Sequence, residues 1–80
     1  MEKIKDEELF LQKRQEFLET ICHIRRSKGI SLNRLAEMTG MSKGYLSRIE
    51  SANVSPGLQN IVRLCTALGV DLVLQDSKDK

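Results

Sequence analysis

A chain of 80 residues with a formal net charge of +2 and 40% hydrophobic residues is one small domain, near the size below which a single core gains from oligomerisation. One histidine and two widely spaced cysteines, Cys22 and Cys65, supply no metal-ligand spacing, and both cysteines are expected to pack as small hydrophobes rather than to pair. The chain has no nucleophile–base set, no glycine-rich phosphate loop and no paired carboxylates. The expectation is therefore of a non-enzyme with no catalytic, metal or cofactor residues.

Residues 1–15, MEKIKDEELFLQKRQ, form a charge-dense extension. It reads as a helix or as a frayed end, because Leu9, Phe10 and Leu11 are consecutive and give no clean stripe. The same three residues are the longest apolar run near the N-terminus, too short for a signal peptide or a membrane span, so a cytoplasmic protein is expected.

From residue 16 the pattern sharpens into a domain expected over 16–70. Phe17, Ile21 and Ile24 have the spacing of an amphipathic helix that stops at Gly29. His23 points away from that stripe and receives no role.

Next comes ISLNRLAEMTGMSKGYLSRIESAN, residues 30–53. Ser31 and Ser42 each precede an apolar-periodic run and can cap a helix start. Gly40 can enter the left-handed region and reverse the chain between the two runs. Leu35, Ala36 and Thr39 face inward from the first segment and Leu46 and Ile49 from the second, while Met41 fills the turn. Lys43, Gly44, Ser47, Arg48 and Ser51 are left facing outward, a donor-rich surface with little bulk.

Ser55-Pro56 reads as the start of a fourth helix with Leu58, Ile61, Val62, Cys65 and Leu68 on its apolar face and Gly69 at its end. Residues 71–80 are read as a strand and a loose polar tail. The strand takes in Val70, whose alternation with Leu72 and Leu74 favours an extended segment. A lone strand needs a partner, and the same segment of a second copy supplies one, so Val70, Leu72, Val73 and Leu74 are the expected dimer interface.

Charge supports a nucleic-acid partner. Residues 16–70 hold seven basic side chains (Arg25, Arg26, Lys28, Arg34, Lys43, Arg48, Arg63) against four acidic ones (Glu16, Glu19, Glu37, Glu50). Arg34, Lys43 and Arg48 fall within the two-helix stretch, where an electrostatic footprint for phosphates belongs.

The stretch from residue 30 resembles the phage repressor and Cro-like (XRE-type) helix-turn-helix family, whose pattern approximates L-S-Q-x-x-L-A-x-x-x-G-V-S-x-x-Y-L-S-x-I-E-x-G. The likeness runs from about Phe17 to Val70 and includes Ser55-Pro56 and Leu68-Gly69-Val70. It implies an all-α, lambda-repressor-like fold of four to five helices, with a short C-terminal strand or a fifth helix at a dimer interface. It further implies a sequence-specific regulator, a repressor in the simplest case, that binds an inverted-repeat operator in double-stranded DNA as a homodimer. Asn33, Arg34, Ser42, Lys43, Gly44, Tyr45, Ser47, Arg48 and Asn53 are the expected DNA-binding residues, and Arg25 is expected to pair with Glu50 as family members do. The alternative is an antitoxin-like module that holds a partner toxin and autoregulates its operon. Two positions depart from the pattern. Leu32 replaces the usual phosphate-binding glutamine, and Ala52 replaces the usual helix-ending glycine, so Asn53 is expected to take the left-handed turn one position later.

Overall fold

The computed structural model describes residues 3–76, with side-chain surroundings given from residue 6. Four helices follow one another: α1 (Lys3–Ser27), α2 (Leu32–Thr39), α3 (Lys43–Glu50) and α4 (Leu58–Leu68). α1 and α2 each lie against both α3 and α4. The fold is all-α among the described residues, as the resemblance implies, and the residues beyond 76 in the expected tail lie outside them.

The core forms where the four apolar stripes meet. Leu18, Leu35, Leu46, Ile49, Leu64 and Leu68 are fully buried, with Ile21, Met41, Ile61 and Cys65 around them. Each such side chain contributes about 1.5–3 kcal/mol of transfer free energy. Two stripes are rotated from the expected ones. On α1 the buried residues are Leu18, Ile21 and Arg25, while Phe17 and Ile24 are only partly covered. On α4 Leu64 joins Ile61, Cys65 and Leu68 inside, and Leu58 and Val62 face solvent. Leu64, Cys65 and Leu68 stand three, four and seven residues after Ile61 and already fill the inward face, which leaves none for Val62.

Helix ends follow the backbone chemistry. Ser31 and Ser42 accept from the amides of Arg34 and Tyr45, each at 3.0 Å. Gly40, at φ 76°, donates its N–H to Ala36. α4 begins later than expected: Gly57 is its N-cap, with no side-chain cap bond. The Ser55 hydroxyl instead accepts from Arg14 Nη1 at 2.8 Å. The end of α3 also differs. Ala52 donates to Ile49 C=O and Asn53 to Arg48 C=O, the paired bonds of a Schellman motif, which require the left-handed residue at the first of the two positions. Ala52, at φ 61°, therefore takes that conformation, and Asn53 does not.

The expected strand does not form within the single chain. Residues 70–76 are in neither helix nor strand, because no second extended segment among the described residues is there to pair with their amides and carbonyls. Val70 rests against the core, and Leu72, Val73 and Leu74 are exposed.

Candidate nucleic-acid interface

α2 and α3 are joined by Gly40, Met41 and Ser42 alone. Met41 is buried between the helix ends. Thr39, also buried, donates its hydroxyl to Leu35 C=O at 2.8 Å and accepts from the Met41 amide at 3.2 Å. The turn is therefore held by side-chain bonds and apolar packing as well as by the glycine. Leu46 and Ile49 pin α3 to the core on one face, so its other face is fixed in direction.

That outer face carries Lys43, Gly44, Ser47 and Arg48, all exposed, next to exposed Ser42. Asn33 and Arg34 are exposed on α2, and Asn53 is exposed just beyond α3. Arg34 pairs with Glu37 at 3.3 Å in an open surface contact, worth little in water. Lys43 and Arg48 have no ion-pair partner among the described residues. Gly44 has open space around it: a Cβ there would meet no atom within 4 Å. Tyr45 stands apart from the other eight. It is half-buried, and its hydroxyl accepts from Asn60 Nδ2 at 3.3 Å, so it braces α3 against α4. Asn60 does not stand out in the sequence as part of this site, since a lone polar residue on a helix gives no signal of what it will meet; Thr39 reads as inward-facing, but its bond to the turn does not show there.

Behind the face lies the contact between Arg25 and Glu50. Arg25 Nε and Nη2 reach the two carboxylate oxygens at 2.5 and 3.1 Å, and Nη1 donates to Ile30 C=O at 2.6 Å. The side chains are only 10% and 12% exposed. Hydrogen bonding to Glu50 holds the guanidinium above its already high ordinary pKa, against the opposing effect of burial. Cys22 is half-buried beside them; burial, aided by Glu50, pushes its thiol up, and burial does the same to Cys65.

Two short helices joined by three residues, the second presenting donors outward from a buried base, define a helix-turn-helix DNA-recognition scaffold. The helix-turn-helix family model matches residues 23–75, and the chain belongs to that family. It is 41% identical over 51 residues to the HTH-type transcriptional regulator SutR of Escherichia coli (strain K12), an alignment covering 64% of this chain and 29% of that protein. It is 37% identical over 62 residues to the HTH-type transcriptional regulator SinR of Bacillus licheniformis, covering 75% and 56%. A third relative, the HTH-type transcriptional regulator SlrR of Bacillus subtilis (strain 168), is 41% identical over 49 residues, covering 60% and 32%. The chain thus spans from under a third to just over half of the length of these curated relatives. No helix among the described residues is long and apolar enough to cross a membrane.

Proposed function

We propose that the chain is a non-enzymatic, DNA-binding transcriptional regulator that lays α3 in the major groove of a duplex operator and acts as a repressor by occupying it. The observation that carries this reading is the outer face of α3, where Lys43, Ser47 and Arg48 project from a helix fixed by Leu46 and Ile49. Arg48 matches the paired acceptors of guanine, O6 and N7, and the open space at Gly44 admits the groove edge. Amides at the starts of α2 and α3, with Asn33, Arg34, Ser42 and Asn53 around them, serve phosphates and set the register. Tyr45 contributes by holding α3 in place. All three relatives are transcriptional regulators by name.

A homodimer matches an inverted repeat, and residues 70–75 supply its contact: Leu72, Val73 and Leu74 are exposed apolar side chains with unpaired backbone beside them, and pairing with the same segment of a second copy satisfies both. Fluorescence anisotropy against inverted-repeat and random duplexes over a salt series tests the reading. Binding should prefer a repeat with half-site centres about 34–36 Å apart and weaken as salt rises. Equal affinity for every duplex at every salt would refute it. The antitoxin-like alternative draws on the same exposed segment, and it predicts a stable complex with a second protein when neighbouring genes are co-expressed.

A further inference from the structure

α1 outruns the rest of the domain. Its inward stripe, Leu18, Ile21 and Arg25 with Phe17 beside them, is covered as far back as Arg14, which reaches across to Ser55. Every residue from 6 to 13 is exposed. The apolar stripe nevertheless continues: Phe10 and Leu11 stand two helical turns before Phe17 and Leu18 and so share their face. Phe10 is 54% exposed. It borders an open groove of about 250 Å³ lined also by Arg14, Phe17, Ser55, Pro56 and Ile61.

The charges beside this overhang are ordered. Asp6 and Glu7 lie one turn before the apolar pair, and Lys13 and Arg14 lie one turn after it, on the same face. A strip with acid at one end, two apolar residues in the middle and base at the other is complementary to itself when reversed. Laid parallel, it sets like against like. Lys13 has only a weak hold within its own chain, an exposed contact with Glu16 at 3.6 Å. Arg14 stacks over Phe10 at 5.9 Å, and its buried Nε has no acceptor among the described residues.

We propose that this strip is a docking surface for a second copy of the chain, with two α1 helices packed antiparallel about a two-fold axis at Phe10 and Leu11. Asp6 and Glu7 of each copy then face Lys13 and Arg14 of the other. Gly69, where the C-terminal segment leaves the core, stands beside Lys28 at the far end of α1's packed length. The C-terminal segment thus starts at the opposite end of α1 from the strip, and a chain using both contacts links dimers to one another.

Light scattering on the full-length chain at low salt tests it with Glu7→Lys and Lys13→Glu. Each variant alone opposes like charges twice across the axis, and each should show a lower mass than the wild type. An equimolar mixture pairs lysine with glutamate at both places and should recover the wild-type mass; a parallel pair, which opposes like charges already in the wild type, would lose nothing in the single variants. Phe10→Asp should also lower the mass while the helical circular dichroism at room temperature is kept, since more than half of that side chain is exposed. Unchanged mass in the single variants, a mixture that fails to recover, or a wild type no heavier than Phe10→Asp would each overturn the proposal.

Discussion

Arg25 and Glu50 clasp one another across the base of the helix-turn-helix, two guanidinium nitrogens on two carboxylate oxygens, while a third nitrogen of Arg25 holds the carbonyl of Ile30. Ile30 returns a bond from its own amide to the Arg25 carbonyl at 3.1 Å. The end of α1, the entry to α2 and the end of α3 are thereby fixed to one another through one side chain, so the direction of α3 depends on a residue that has no place on the outer face.

Removing one partner of so enclosed a pair leaves a charge without its counter-ion, and Glu50→Ala should cost about 3 kcal/mol in urea unfolding. Glu50→Gln, which keeps the shape, should fall between it and wild type. The contribution from Arg25 has a defined pH course. Its folded pKa is raised, so the stabilisation is fully present below the ordinary arginine value and is lost only as pH rises through the still higher folded one. The difference between wild type and Glu50→Ala should therefore stay constant from pH 7 to pH 8, below the range in which Cys22, whose thiol Glu50 helps to raise, begins to titrate. A pair lying open on the surface would show less than about 1 kcal/mol and would fade with salt.

Ala52 occupies a left-handed conformation that costs an L-residue about 1–2 kcal/mol and glycine almost nothing. Ala52→Gly should raise stability by about 1 kcal/mol, net of the glycine's greater freedom when unfolded. Asn53→Gly, at the position that does not take the turn, should bring no gain. Chemical denaturation of the two variants side by side separates the cases.

Burial raises the thiols of Cys22 and Cys65 above their ordinary value of 9.0. Since the thiolate is the reactive form, alkylation of the native protein at pH 8 should be far slower than that of the unfolded chain, with buried Cys65 slower than half-buried Cys22. The folded state holds these protons more tightly than the unfolded one. Their contribution to stability is therefore full below pH 9 and declines as pH rises beyond it.

On the outer face, Arg48→Ala should lower discrimination at one base pair of each half-site by about 1–3 kcal/mol, whereas loss of a phosphate contact at Arg34 should weaken all duplexes alike. Anisotropy against a set of single-base operator variants distinguishes the two patterns. A uniform loss at Arg48 would move that residue from base recognition to the backbone.

Elements governed by local chemistry are legible in the sequence. The caps at Ser31 and Ser42, the reversal at Gly40, the plugging role of Met41 and the inward faces of α2 and α3 all rest on residues within a turn or two of one another. Features decided by distant partners are not. Ser55-Pro56 has the form of a helix start, yet Ser55 receives Arg14 from α1, and the helix waits for Gly57. The end of α3 is a local exception: Asn53 is the better left-handed residue in isolation, but the helix-end bonds to Ile49 and Arg48 fix the turn at Ala52. Residues 9–11 give no stripe among themselves, and only their continuity with Phe17 and Leu18 along an unbroken α1 shows which face they extend. The residues proposed to face DNA are marked by donor chemistry on the outward side of α3 and by the family resemblance, whereas Asn60, which holds Tyr45 from the next helix, carries no such mark.

With α3 in the groove as proposed, the space around Gly44 sets stability against recognition. The residue lies in the first turn of α3 with no positive φ and no neighbour to crowd a methyl group, so folding alone makes no demand for glycine there. Alanine would strengthen the helix by up to about 1 kcal/mol. A selection for thermal endurance alone would thus be expected to replace Gly44 early, and a selection for operator occupancy to restore it. Gly44→Ala compared with wild type in both urea unfolding and operator binding would show whether this position is tuned to the protein or to its ligand.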